Sequence, residues 1–174
     1  MKRALRVLIA LIAIVLAGGF LGPSRVRIER SRTLASAPAQ LYPLLADLRS
    51  GWPKWSPFGK AHDPALQETF SGPAAGAGAT ESWTSGSMPA GQMTLTRADP
   101  ASGVDFRIEM ENGTRIDGRI AFAEAPRGTR VTWTDDVQLP RGPMTGWMAL
   151  LLRPMLGSGM ETALQQLDAK ALKP

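Results

Sequence analysis

Two carboxylates that lie close to tryptophans are the side chains whose type and spacing could support acid–base chemistry. Asp135 follows Trp133 by two positions, and Glu81 precedes Trp83 by two. Residues two apart on a strand share a face, so each carboxylate would lie beside an indole in an apolar setting that perturbs its pKa. Asp136 would point to the opposite face and cannot pair with its neighbour. Asp135 and Glu81 are therefore the candidate acid/base residues, and a carboxylate turned toward water is the alternative for each.

The sequence lacks the residues that a metal site, a catalytic triad or a phosphate-binding loop requires. His62 is the one histidine and the sequence has no cysteine, so we expect neither a metal site nor a catalytic triad. His62 stands before Asp63-Pro64, as a turn residue would. The glycines of residues 71–79 lack the Gly-Lys-Ser/Thr ending that cradles phosphate, and no Gly-x-Gly-x-x-Gly opens a helix. We expect no cofactor.

Aromatic and thioether side chains predict an apolar binding cavity. The candidate ligand-contacting residues are Trp52, Trp55, Phe58, Trp83, Met93, Phe106, Phe122, Trp133 and Met148. The first three lie in a Pro-rich loop, where they either pack against the first helix of the domain or line the entrance of the cavity. A further apolar run at residues 144–156 is broken by Arg153-Pro154. It could cap the cavity with adaptable thioethers or touch a bilayer.

The strands that must position these residues are visible as alternating patterns. Residues 25–34 alternate Val26 and Ile28 with charged residues, as a half-buried strand does. Asn112-Gly113 predicts a two-residue hairpin turn. Six more strands are predicted, joined by short turns that contain glycine, at residues 68–71, 79–85, 92–98, 104–111, 114–124 and 129–139.

One predicted helix lies between the first strand and the other six, and a second follows the last strand. Ser36 can cap the first, and Pro43 inside it predicts a kink or a short helix. The second helix closes the chain. Its apolar residues recur at helical spacing, namely Met160, Ala163, Leu164, Leu167 and Ala171. A sheet that covers its apolar face with one terminal helix curls around it, and a ligand could bind between the two.

Residues 1–22 predict a membrane segment. Basic residues at positions 2, 3 and 6 precede the strictly apolar residues 7–21, about 22 Å as a helix, a length that suits a cleavable signal. Residues 4–22 reach about 28 Å, close to the hydrocarbon thickness of roughly 30 Å, if Arg6 extends back to the headgroups. No clean Ala-x-Ala site precedes the folded part. An uncleaved anchor is therefore the favoured interpretation, and a cleaved signal is the alternative.

The charges around this segment predict its orientation and exclude one class of partner. The amino-terminal side carries +4 and residues 25–32 carry +3, so the positive-inside rule favours a cytoplasmic amino terminus. A single pass through a bacterial inner membrane would place residues 23–174 in the periplasm. The absence of cysteine suits that compartment and the cytosol equally. Without residues 1–22 the chain carries only +2 and no basic stripe, so nucleic acid is not an expected partner.

Several segments occur in an order that resembles a known family. They are Arg30-Ser31, residues 36–49, Trp52-Pro53-Lys54-Trp55-Ser56-Pro57-Phe58, Ser71-Gly72-Pro73, Gly76-x-Gly78 and residues 128–133. Together, over about residues 26–172, they resemble the polyketide cyclase/dehydrase-like branch of the SRPBCC (START-like) superfamily, as a membrane-anchored bacterial member. The resemblance implies an α+β helix-grip fold in one domain over residues 23–174. In that fold a seven-stranded antiparallel sheet curls around a long C-terminal helix and an apolar cavity.

The resemblance does not imply one reaction, because members bind lipids, hormones and polyketides and only a minority catalyse. The leading hypothesis is a membrane-anchored domain that binds a small hydrophobic or lipid-like ligand without covalent chemistry. The second is a cyclase or dehydratase that uses Asp135 or Glu81 as its acid/base. The third is a protein-interaction module that docks a membrane partner through residues 147–156.

Overall fold

The computed structural model describes residues 2–56, 59 and 63–172 of the chain. Phe58 and His62, both considered above, lie outside the described residues. The helices are α1 (Lys2–Leu21), α2 (Pro38–Ala46) and α3 (Thr145–Ala171), with a 3-10 turn at Trp52–Lys54. The strands are β1 (Arg25–Leu34), β2 (Gln67–Ser71), β3 (Thr80–Thr84), β4 (Gly91–Asp99), β5 (Gly103–Met110), β6 (Arg115–Ala125) and β7 (Gly128–Gln138).

The seven strands form one antiparallel sheet in the order β1-β7-β6-β5-β4-β3-β2. β1 pairs along its whole length with β7, from Arg25 opposite Gln138 to Leu34 opposite Thr129. A register shift between Leu95 and Arg97 interrupts the pairing of β4 with β5, and such irregularities increase the bend of a sheet. The predicted α+β helix-grip fold, with a seven-stranded antiparallel sheet and a long C-terminal helix, is confirmed.

Cross-strand pairing explains why one face of the sheet is apolar. Residues directly opposite one another in an antiparallel pair point to the same side, so a row of partners shares one face. One such row crosses all seven strands through Val26, Val137, Ile116, Ile108, Met93, Glu81 and Phe70. Glu81 is the one charged member of this row. The register therefore holds a carboxylate on the side of the sheet that faces α3.

The second half of α3 packs on this inner face. Met160, Ala163, Leu164 and Leu167 are 3% exposed or less, as their spacing predicts. The end of the helix is also tied to the β1–α2 connection by Asp168, whose Oδ1 accepts hydrogen bonds from the Ala35 N–H at 3.0 Å and from the Ser36 hydroxyl at 3.1 Å. The cap predicted at Ser36 is wrong, because that hydroxyl is used by α3 and the N-cap of α2 is Ala37.

The first half of α3 differs from its prediction. The predicted helix rested on the apolar spacing from Met160 onward, and Arg153-Pro154 interrupts the apolar run before it, but one helix extends through both residues from Thr145 to Ala171. Pro154 removes a single backbone hydrogen bond. Ala149 is buried and Leu152 and Leu156 are half-buried against the core, so packing on both sides of the proline holds the helix together.

α1 lies outside the sheet and is exposed along most of its length. Arg3–Leu21 is apolar and long enough to cross a membrane by length and composition, and only 6% of an 18-residue apolar window within it is buried. Its last turns contact the beginning of α3, where glycines allow the two backbones to approach each other. The remainder of α1 has no covering surface within the described residues.

Candidate functional site

A cavity of about 190 Å³ lies between the inner face of the sheet, the Trp52–Lys54 turn and α3. Its wall is almost entirely apolar, whereas two other depressions, near Asp47 and near Arg25, have more polar walls. The residues that line the cavity are Leu48, Trp52, Pro53, Ser56, Gly59, Leu66, Glu68, Glu81, Trp83, Met88, Met93, Phe106, Ile108, Met110, Ile116, Trp133, Asp135, Leu156 and Met160.

The size of the cavity limits what fits without rearrangement. Drug-sized ligands occupy pockets of roughly 300–1,000 Å³. A dry cavity of about 150 Å³ takes one benzene. At about 190 Å³ the space holds one aromatic ring or a short acyl segment. Four methionines in the wall can change rotamer at low cost and so admit a somewhat larger group, namely Met88, Met93, Met110 and Met160.

An aromatic cluster forms one end of the cavity. The Trp52 ring lies 5.5 Å from Phe106 and 6.4 Å from Trp133, and both pairs meet nearly edge to face. Phe106 lies over Gly118, where an added Cβ would be 2.0 Å from the ring. A side chain at position 118 would therefore displace Phe106 from the cavity wall.

The end of α2 explains how the loop tryptophans are held. The last carbonyls of a helix have no partner inside it. Trp52 Nε1 donates to the carbonyl oxygen of Leu45 at 2.6 Å, and Trp55 Nε1 donates to that of Leu44 at 3.0 Å. Each indole therefore satisfies a free helix end while its ring packs in the core. Trp52 reaches the cavity, and Trp55 lies behind it against Trp133 at 5.6 Å, fully buried.

The structure brings together five of the predicted ligand-contacting residues, since the cavity is lined by Trp52, Trp83, Met93, Phe106 and Trp133. Three others lie elsewhere. Trp55 packs behind the wall, Phe122 is half-buried at the far end of β6, and Met148 is 49% exposed on the first half of α3. Helical and strand periodicity assigns a face to a residue but not its position along that face.

Asp135 is the more buried of the two candidate acids. Its side chain is on the inner face of β7 and the residue is 7% exposed. Burial raises its pKa to about 6, although a hydrogen bond from Trp133 Nε1 at 2.9 Å acts in the opposite direction. Asp136 points outward as predicted and accepts from Arg27 at 3.0 Å. Asp135 is thus a single carboxyl group in an apolar wall, held by one indole.

Glu81 faces the same cavity from β3. Burial, together with the negative charge of Glu68, raises the pKa of Glu81 to about 7. Glu68 is directly opposite Trp83 in the β2–β3 pair. Four strand spacings, roughly 19 Å along the sheet, separate β3 from β7, so Glu81 and Asp135 do not form a proton-sharing pair. Among residues 2–56, 59 and 63–172 no group of three acidic or histidine side chains could hold a metal ion.

Sequence reasoning missed Glu68. It expected the run at residues 144–156 either to cap the cavity or to touch a bilayer, but it did not single out Leu156, which lines the cavity. Glu68 could have been found by pairing the predicted second and third strands, because that hairpin register places it beside Trp83. Leu156 and Met160 line the cavity from the part of α3 that follows Pro154, and they are one helical turn apart on the same side of the helix. Because the predicted helix rested on the spacing from Met160 onward, Leu156 was not recognised as part of the same helix face.

The raised pKa of Glu81 predicts a pH-dependent stability. A carboxyl group whose pKa is higher in the folded state than in the unfolded state binds its proton more tightly when folded, so stability falls as pH rises between the two values. For Glu81 that window runs from 4.5 to about 7. We expect thermal unfolding of the full chain in detergent micelles to show a melting temperature that decreases across this window.

Glu81→Gln should reduce this decrease, because the amide carries no charge at either end of the window. Glu124→Gln is the matched control, since Glu124 is exposed at the outer end of β6. If both variants keep the same slope as the parent chain, Glu81 is not the group responsible.

Comparisons with known proteins agree with this geometry. A family model described as "Polyketide cyclase / dehydrase and lipid transport" matches residues 25–172. No curated protein is similar enough in sequence to match the chain. The di-domain ARO/CYC protein StfQ from the steffimycin biosynthetic pathway superposes with a TM-score of 0.64 at 14% identity, over 84% of this chain and 51% of that one.

Two smaller proteins superpose over nearly their whole length. An uncharacterized protein from Rhizobium leguminosarum has a TM-score of 0.61 at 15% identity, over 86% of this chain and 96% of its own. Ara h 8.0201 has a TM-score of 0.60 at 13% identity, over 86% of this chain and 99% of its own. At identities this low, the superpositions show that the fold is shared and nothing about function.

Proposed function

The chain belongs to the polyketide cyclase / dehydrase and lipid transport family, and from that premise we propose that its cavity binds a small hydrophobic or lipid-like molecule without covalent chemistry. The observation that supports this function is the wall of the cavity. Aromatic, aliphatic and methionine side chains make up most of it, and carboxyl groups interrupt it at Glu68, Glu81 and Asp135. Apolar surface supplies binding energy at about 25 cal/mol per Å² buried, and a few polar groups fix orientation.

The carboxyl groups favour a ligand that is amphipathic and not purely a hydrocarbon. With a pKa of about 7, Glu81 is partly protonated near neutral pH. A protonated carboxyl group donates a hydrogen bond, so it can pair with a carbonyl or hydroxyl oxygen of a ligand. The volume supports one ring or a short acyl segment inside the cavity, with any longer part of the molecule outside it.

We propose that α1 anchors this domain in a membrane as an uncleaved single span. The support is its length and composition together with its exposure, since only 6% of an 18-residue apolar window within Arg3–Leu21 is buried against the rest of the protein. The small excess of positive charge before α1 supports a cytoplasmic amino terminus, which would place the domain on the periplasmic side of a bacterial inner membrane.

Tryptophan fluorescence tests the binding proposal. Trp52, Trp83 and Trp133 line the cavity, whereas Trp147 lies on α3 beside α1. We expect fatty acids, phospholipids or aromatic polyketides that enter the cavity to change the emission of the full chain in a saturable way. Trp147→Phe should retain the response. If none of these ligand classes changes the emission at any concentration, the cavity is not a binding site for them.

A second function is favoured by one observation, the pKa of Glu81. A general acid or base works best when its pKa is near the operating pH, and about 7 meets that condition. In this alternative the protein is a cyclase- or dehydratase-type enzyme. For a binder, Glu81→Gln and Asp135→Asn leave ligand affinity within a few-fold, because neither side chain supplies apolar contact area and the amide N–H of the replacement can still donate a hydrogen bond. For an enzyme, the same substitutions abolish a measured turnover while affinity is retained.

A further inference from the structure

α1 and α3 meet at a close crossing that is built from glycines. A Cβ added to Gly22 would lie 2.5 Å from the Cα of Gly146, and one added to Gly146 would lie 2.7 Å from the carbonyl oxygen of Gly18. Trp147 covers this crossing, and its Nε1 donates to the carbonyl oxygen of Val15 at 3.0 Å. The start of α3 is therefore fixed against the last two turns of α1.

The length of α1 determines the depth of this crossing. A helix of 19 residues is about 28 Å long, and the hydrocarbon core is roughly 30 Å thick. The helix is no longer than the core, so its last turns cannot protrude beyond the core if α1 spans it. Residues 15–21 must lie within one leaflet, and the residues of α3 that touch them must lie at that depth too.

The exposed side of the first half of α3 suits such a position. Large apolar side chains recur there at helical spacing, and each is 39% exposed or more, namely Met144, Trp147, Met148, Leu151 and Met155. Leu150 widens this stripe and is 61% exposed. Within the described residues nothing covers it, and it continues directly from the equally exposed α1.

The charges around the stripe complement an anionic lipid surface. Residues 137–160 include no Asp or Glu, and their two charged residues are Arg141 and Arg153. Both arginines are exposed. Long basic side chains at the edge of an apolar surface extend toward phosphate headgroups while their stems stay in the apolar layer.

We propose that the first half of α3, residues 144–155, is a second membrane contact that inserts beside α1 into one leaflet of the bilayer. In this arrangement α1 crosses the membrane, and the first half of α3 lies partly within the same leaflet as the end of α1. Leu156, the next residue, lines the cavity. The cavity wall therefore begins where the lipid contact ends, and the domain is held with its cavity next to the bilayer. The inference rests on α1 being retained as the proposed anchor.

Site-directed fluorescence in nanodiscs tests this contact, and the chain offers a clean background because it has no cysteine. Leu151→Cys and Gln165→Cys, both exposed positions on α3, are each labelled with an environment-sensitive fluorophore. The full chain is reconstituted, one copy per disc, in phosphatidylcholine with phosphatidylglycerol. A label at 151 should emit at shorter wavelength and lose roughly half or more of its fluorescence to quenchers on the acyl chains.

The label at 165 should keep water-like emission and respond only to a soluble quencher. If the label at 151 behaves in the same way, the stripe lies in water and the proposal is wrong. The intact mass of the reconstituted chain separates this failure from that of the anchor. A chain that has lost residues 1–22 would also overturn the inference, because α3 would have no span to pack against, while leaving the cavity's ligand binding untouched.

Discussion

Trp133→Ala should lower the free energy of unfolding by about 3–5 kcal/mol, the usual cost of truncating a buried tryptophan to alanine. Trp133 is 3% exposed and meets Trp52, Trp55 and Phe106 edge to face, so the substitution removes the centre of the aromatic cluster. It also takes away the indole N–H that donates to Asp135. For a chain of this size the loss corresponds to a melting temperature lower by roughly 6–20 °C.

Near-ultraviolet circular dichroism during thermal unfolding measures this effect, because the tryptophans dominate that signal. Trp133→Phe is the matched control. It keeps an aromatic ring and loses the hydrogen bond, so its cost should be clearly smaller. The alanine variant should also weaken any ligand response in the fluorescence titration. A melting temperature equal to that of the parent would show that the cluster does not stabilise the domain.

Leu164→Asp should prevent cooperative folding of the domain. Leu164 is 1% exposed and faces the sheet from the second half of α3. An unpaired carboxylate there would cost several kcal/mol, a loss comparable with the whole stability of about 5–15 kcal/mol that is typical of a domain. Near-ultraviolet circular dichroism of the full chain should show no tertiary signal at any temperature.

Gln165→Asp provides the control for that experiment. It introduces the same side chain one position away, on the exposed side of the same helix. Any effect on helix propensity is therefore shared by the two variants, and only burial differs. If Leu164→Asp unfolds at the same temperature as Gln165→Asp, then α3 does not close the core of the sheet.

The fold could be predicted closely from the sequence because alternation and turn residues are local signals. Each of the seven strands was predicted to within one residue at both ends. The apolar spacing after Met160 also gave the buried side of the second half of α3 correctly. The first half of that helix was not predicted, because Pro154 is a local signal for a break and the packing that overrides it is tertiary.

The candidate site was less accessible to sequence reasoning. Glu81 and Asp135 could be placed on the inner face from their strand positions. Whether an inward residue reaches the cavity depends on where the helix leaves space above the sheet, and no local pattern encodes that. Trp55 illustrates the difficulty. Its indole N–H donates to the carbonyl of Leu44, and its ring lies behind the cavity wall. Trp52, three residues earlier, lines the cavity.

The function depends on whether the cavity holds a ligand, and native mass spectrometry of the full chain extracted in detergent measures this directly. We expect a defined lipid-like species bound at nearly one per chain. Ile116→Phe should abolish it by filling the cavity, because Ile116 lines the wall and is 8% exposed. Overpacking of this kind typically costs about 1–3 kcal/mol, so the variant should remain folded. A parent chain without any bound small molecule, or a folded Ile116→Phe variant that carries the same species at the same occupancy, would contradict the account.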